Sequence, residues 1–286
     1  MPYILVNDVD HYYEWVTETN HPANGSKPVM VFIHGWSGSS RYWRTTAQAI
    51  TSQFDCLLYD MRGFGRSQLT SEKREAILAR GYELDTFADD LSILLDALEL
   101  EKVWINAHSV GASVGVFFLN RYGDRVRQAI LTCNGVFEYD KQAFEAFYRF
   151  GRYVVMFRPP WLSHIPLAPR FFMARFLNRP IPAIERKAFL QDFLDADFDV
   201  ALGTIYTSVS KQATEVMPRA FEEISVPTLL VSGQYDKITP AELGVRAATL
   251  NPRMIKYVEI AQAGHFPMLE VPETYLEQVN DFLALS

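Results

Sequence analysis

The chain has 286 residues, 49% of them hydrophobic and without a compositional break, enough to bury one large core alone or with one insertion. Its formal net charge of −7 argues against nucleic acid as a partner, since phosphate binding wants a basic footprint. The N-terminus has neither a basic n-region nor a long apolar h-region, and no apolar run could span a bilayer, so the expected location is cytoplasmic.

Tyr3–Val6 and Tyr12–Val16 are short strand-like runs around Asn7-Asp8-Val9-Asp10, which predicts a hairpin at a sheet edge. Residues 20–27, with Pro22, Asn24, Gly25 and Ser26, read as a loop, and His11 and His21 fall in this opening region. Val29–Ile33 has no polar face, as expected of a strand covered by helices on both sides. It runs into His34-Gly35-Trp36-Ser37-Gly38, whose glycines permit a close backbone approach.

A helix is expected over Arg41–Ser52 and a strand over Phe54–Tyr59, followed by Asp60-Met61-Arg62-Gly63-Phe64-Gly65-Arg66-Ser67. The glycine pair is not a dinucleotide fingerprint, because the third glycine position is Gln68, so no cofactor is expected. Leu84–Leu98 is apolar at Phe87, Leu91, Leu94, Leu95 and Leu98, an amphipathic helix. Cys56 and Cys133 lie in apolar strand-like runs and read as buried thiols of a reducing compartment, not as a disulfide or zinc site.

Lys102–Asn106 reads as a buried strand and Val110 to about Arg121 as a helix, which puts Ser109 at a strand-to-helix corner. A serine there is thrust beyond the sheet edge, and the next residue's N–H points at any oxyanion its attack on a carbonyl would create. Ala107-His108-Ser109-Val110-Gly111 resembles the G-x-S-x-G nucleophile elbow of the α/β-hydrolase family, with Ala107 at the first glycine position. The His-Gly-x-x-Gly loop at residues 34–38 also resembles that family, and the resemblance implies the Trp36 N–H as a second oxyanion-hole donor beside Val110. His34 is expected to pin the loop by hydrogen bonds. The Asp60–Ser67 pattern is similar to a loop common in the family, with Asp60 and Arg62 expected as a structural ion pair.

Val126–Cys133 is a further buried strand, and the alternation of strand and helix predicts an α/β fold with a mostly parallel sheet and helices on both faces. From about Val136 to Glu222 the alternation gives way to helical pieces broken by prolines and rich in aromatics. The resemblance implies a helical cap here, inserted after the strand that follows the elbow helix. The expected organisation is core 1–135, cap 136–222 and core 223–286.

Val226–Ser232 resumes the strand rhythm and ends in Gly233-Gln234-Tyr235-Asp236. Asp236 lies on the same sheet edge as the elbow and is the expected orienting carboxylate, with Glu138 or Asp140 as fallback acids; Asn134, at the other customary acid position, cannot carry charge. After the last strand, Met254–Ile260, comes Gly264-His265-Phe266, where His265 is the expected base. The order Ser109, Asp236, His265 is that of the α/β-hydrolases. Trp36, His108, Phe147, Trp161 and Phe266 are expected to line the substrate pocket.

Serine at the elbow excludes the aspartate-dependent dehalogenases and epoxide hydrolases of the family, and Phe266 argues against its lyases. With no metal-ligand cluster, the expected chemistry is acyl transfer through an acyl-enzyme. The resemblance thus implies a serine hydrolase of carboxylic esters, lactones or thioesters with a hydrophobic substrate. An acyltransferase on the same three residues and a non-catalytic small-molecule receptor are the alternatives. Between Phe147 and Pro180 stand six arginines and no Asp, Glu or Lys. This predicts either peripheral membrane association of the cap or pairing of the arginines with the acids near Asp192–Asp199.

Overall fold

The computed structural model describes residues 3–18, 27–138, 141–208 and 210–284, without the side chains of 141, 143, 144, 146, 147, 150, 211 and 212. The strands are β1 (Tyr3–Val6), β2 (Val9–Val16), β3 (Val29–Ile33), β4 (Asp55–Tyr59), β5 (Val103–His108), β6 (Val126–Thr132), β7 (Thr228–Gly233) and β8 (Ile255–Ile260). They form one sheet in the order β1-β2-β4-β3-β5-β6-β7-β8. The β1–β2 and β2–β4 pairings are antiparallel and the other five parallel. The hairpin turn is shorter than the sequence suggests: Asn7 and Asp8 both take positive φ, so β2 already begins at Val9. His21 and most of the loop at 20–27 lie outside the described residues.

The helices of the first half are α1 (Arg44–Ala49), α2 (Arg74–Leu78), α3 (Leu84–Ala97) and α4 (Val110–Tyr122). Between β6 and β7 come α5 (Lys141–Met156), a 3-10 turn (Pro160–His164), α6 (Ala168–Met173), α7 (Ala183–Asp195), α8 (Phe198–Ser208) and α9 (Lys211–Glu222). The chain ends with α10 (Ala241–Leu250), α11 (Pro267–Glu270) and α12 (Pro272–Leu283). β3 shows why a strand without a polar face fits here. Val29, Val31 and Ile33 join the core under α3, α4 and α10, whereas Met30 and Phe32 join the opposite core under α1 and α12.

The insertion reaches loops at the carboxyl edge of the sheet, with contacts to residues 36–41, 63 and 264–270. It also packs on the main core, through Val155 of α5 and Val200 and Ala201 of α8. Met217, Ala220 and Phe221 of α9 belong to that core as well.

The expected Asp60–Arg62 pair does not form. Gly63 and Gly65 take positive φ and turn the chain so that Arg66, not Arg62, comes back over Asp60, with Nε 2.8 Å from Oδ2. Arg62 instead runs into the interior, its Nε 3.3 Å from Asp90 Oδ2 on α3. Both cysteines are buried free thiols.

Candidate active site

Ser109 sits where β5 turns into α4, with φ 56° and ψ −125°, a conformation that costs a non-glycine residue on the order of 1–3 kcal/mol. Neighbouring hydrogen bonds hold it there. Its N–H donates to the Thr132 carbonyl at 2.8 Å, and its own carbonyl accepts from Ala112 N, Ser113 N and Asn134 Nδ2. Asn134 also donates to Ser113 Oγ at 2.7 Å, so the residue that cannot carry charge braces the turn instead. A Cβ at Gly111 would overlap the His34 carbonyl oxygen, and only glycine lets α4 start this close to the loop after β3. Ala107 is fully buried in the core, where its methyl is accommodated.

β7 and β8 pair through to Gly233 and Ile260, which sets the two loops beyond them side by side. Tyr235 N–H donates to the Ala263 carbonyl at 2.8 Å across that gap. The side chains meet as expected from their places in the sequence: Ser109 Oγ is 3.0 Å from His265 Nε2, and His265 Nδ1 is 2.7 Å from Asp236 Oδ2. The other carboxylate oxygen, Oδ1, accepts from the Ile238 and Thr239 N–H groups at 2.7 and 3.0 Å. Burial opposes charge on Asp236, but the neighbouring imidazole and these N–H donors outweigh it and hold the carboxyl below its ordinary range. A charged Asp236 fixes the proton on His265 Nδ1 and leaves Nε2 free to accept from the Ser109 hydroxyl.

His34 donates from Nδ1 to the Gly35 carbonyl at 2.8 Å and accepts from Met61 N–H at Nε2, which ties the loop after β3 to the loop after β4. Among the described residues, neither the Trp36 nor the Val110 backbone N–H has an acceptor. His108 is not a pocket residue, contrary to expectation. It is 1% exposed, and both ring nitrogens are engaged: Nε2 donates to the His265 carbonyl at 2.7 Å, and Nδ1 accepts from the Tyr42 hydroxyl at 3.0 Å. Tyr42 in turn accepts from Gly35 N–H at 2.6 Å. Burial, with His265 beside it, drives the His108 imidazole well below its ordinary pKa and keeps it neutral.

Three links tie the insertion to these loops. Trp36 Nε1 donates to the Ala201 carbonyl of α8 at 2.8 Å. Asp192 of α7 accepts from Ser39 Oγ at 2.7 Å and from Arg41 at 2.8 Å, yet burial still raises its carboxyl to about 6. Glu270 accepts four backbone N–H groups: Gly264 and Phe266 at one oxygen, Asn178 and Arg179 at the other. His265 N–H adds a bond to the Phe176 carbonyl at 2.7 Å. None of Tyr42, Asp192 or Glu270 stands in a motif, so only their partners in space reveal them.

Apolar groups approach His265 along an arch of rings, from Trp36 to Phe193 to Phe172 to Phe176, with centroids 4.9–6.0 Å apart and Phe176 itself 6.1 Å from His265. These displace part of the expected pocket. Phe266 is buried beneath His265, packed on Tyr42, His108 and Phe189, because the chain turns into α11 directly after it. Trp161 is 54% exposed and meets the ring of Phe157 edge-on, so it faces solvent. The side chain of Phe147 lies outside the described residues.

The chain matches the alpha/beta hydrolase fold family over residues 28–272. It belongs to that family. Within the alpha/beta hydrolases it is similar to 2-(acetamidomethylene)succinate hydrolase of Mesorhizobium japonicum, 25% identical over 92% of this chain and 91% of the relative. It is also similar to proline iminopeptidase of Heyndrickxia coagulans, 24% identical over 91% of this chain and 92% of that one. Among solved structures, the enol-lactonase of Burkholderia xenovorans LB400 superposes with a TM-score of 0.76 at 21% identity, over 99% of this chain and all of that chain. The activities in these names differ although the fold is shared.

Proposed function

We propose that this protein is a serine hydrolase that cleaves carboxylic esters, lactones or thioesters with a hydrophobic acyl part. The observation that carries the reading is the unbroken chain of hydrogen bonds from Ser109 Oγ through both nitrogens of His265 to Asp236. In this reading His265 takes the serine proton as Oγ attacks the carbonyl carbon, and Asp236 stabilises the imidazolium that results. The oxyanion is received by the Trp36 and Val110 N–H groups, each worth ~10²–10³ in rate. His265 then protonates the leaving alkoxide or thiolate, and water, deprotonated by the same imidazole, releases the acid and restores Ser109.

The arch from Trp36 to Phe176 supports an apolar substrate. Its rings stand between the loop after β3 and His265. A panel of p-nitrophenyl esters of rising chain length tests both halves. Ser109→Ala and His265→Ala should each lower kcat by ~10⁴ or more, and the double variant should be little worse than either, since such residues act as a unit. Additive losses would contradict the mechanism. Products formed only with added alcohol would instead mark an acyltransferase, and ligand stabilisation without turnover a receptor.

A further inference from the structure

Between Glu145 and Glu185 the chain has no acid and no lysine, but it has six arginines. One is structural: Arg158 donates to the carbonyls of Val155, Phe193 and Ala196. The other five, Arg149, Arg152, Arg170, Arg175 and Arg179, are exposed and have no ion-pair partner among the described residues. Of the acids at 192–199, Asp192 pairs with Arg41, Asp197 and Asp199 pair with Arg74, and Asp195 accepts from Gln191. The segment's positive charge is therefore presented to solvent on a protein whose net charge is −7.

The same surface is apolar. On α5, Tyr153 is 65% and Met156 55% exposed, at helical spacing from Arg149 and Arg152 and so on one face, and Phe157, just past the helix end with its N–H on the Tyr153 carbonyl, is 65% exposed. Trp161, in ring contact with Phe157, and Phe171, 73% exposed, continue it. Exposed aromatics grouped with arginines are the composition of a membrane-interface surface, where rings enter the headgroup region and guanidinium groups remain among phosphates; Glu145, one turn before Arg149 on α5, and Glu270 and Glu273 beside Arg179 bound the patch. The segment also faces both ways. Phe171 points to solvent, while Phe172 and Phe176 pack inward along the arch to His265.

We propose that this face of the insertion docks reversibly on an anionic lipid bilayer. Charge favours that occupant over a second copy, because a two-fold contact through this face would set its arginines against their own copies. The docking stands independently of the hydrolase reading, since it is measured by binding alone. The test is flotation of the whole protein with vesicles of phosphatidylcholine and phosphatidylglycerol (3:1), and with phosphatidylcholine alone, at low and high salt. Binding is expected on the anionic vesicles at low salt, with release at high salt. Arg152→Gln and Arg170→Gln should each lower the partition coefficient about five-fold. Phe157→Ser and Phe171→Ser should lower it at least about ten-fold. These variants should keep far-UV circular dichroism and fluorophosphonate labelling of Ser109 unchanged, which separates lost docking from lost folding or lost chemistry. Absence of binding to anionic vesicles at low salt would overturn the proposal, as would equal partition of all variants. Self-association without vesicles, abolished by Phe157→Ser, would assign the face to a second copy instead.

Discussion

The carboxyl edge of the sheet and the helical insertion that covers it supply the two halves of the site by different means. At the edge, backbone places the reacting groups. The register of β7 on β8 sets Asp236 beside His265, and the close start of α4 against the His34 carbonyl projects Ser109 toward them. Where the insertion meets the edge, side chains do the placing: Asp192 on Ser39 and Arg41, Trp36 on Ala201, Glu270 on four N–H groups, and rings on rings. Backbone geometry repeats in every sheet of this kind, whereas side-chain contacts must be met one at a time. In the proposed mechanism the edge therefore supplies the chemistry and the insertion the selectivity.

Asp236→Asn strikes the edge hardest after the Ser109 and His265 substitutions. The side chain keeps its shape, but the carboxylate that orients His265 and stabilises the imidazolium is gone, so kcat should fall ~10²–10⁴ with melting temperature nearly unchanged. A fully active variant would move the search to Glu138 or Asp140. Glu270→Gln attacks the junction between the two regions. A carboxamide has one acceptor oxygen where the carboxylate has two, so two of the four N–H groups lose their acceptor and stability should drop by about 1–3 kcal/mol in urea unfolding. Loss of stability without loss of activity would show that the histidine loop holds its place without the insertion.

Asp192→Asn gives the smallest effect and a pH signature. Burial holds the Asp192 carboxyl at about 6 in the folded protein, above its ordinary value of 3.8. The folded state then binds this proton more tightly than the unfolded chain, so the group's contribution is present below the unfolded value and lost as pH rises through about 6. Relative to the parent, Asp192→Asn should gain ~1–2 kcal/mol of stability between pH 4 and pH 7. A difference that does not change with pH would place the charge cost elsewhere.

What could be read from the sequence follows the same division. Val29–Ile33 announces a buried parallel strand by its lack of a polar face, Lys102–Asn106 and Val226–Ser232 continue the strand-helix alternation, and once these strands are parallel the ends where Ser109, Asp236 and His265 lie share one edge. The pocket residues had no such anchor. His108 and Phe266 flank reacting residues in sequence, yet one is consumed by Tyr42 and a carbonyl and the other is buried under His265. Trp161 has the composition of a pocket wall but sits in a 3-10 turn open to solvent, while Phe172 and Phe193, with no distinguishing neighbours in sequence, form the arch. Arg62 illustrates the same limit on a smaller scale, since a glycine turn decided which arginine reached Asp60.

The central claim is that Ser109 is a nucleophile armed by His265. It is tested most directly by treating the protein with a fluorophosphonate and locating the adduct by peptide mass mapping. A single stoichiometric adduct on Ser109 is expected, absent in Ser109→Ala and slowed by orders of magnitude in His265→Ala. An unlabelled Ser109 in the folded parent, or labelling at an undiminished rate in His265→Ala, would contradict it.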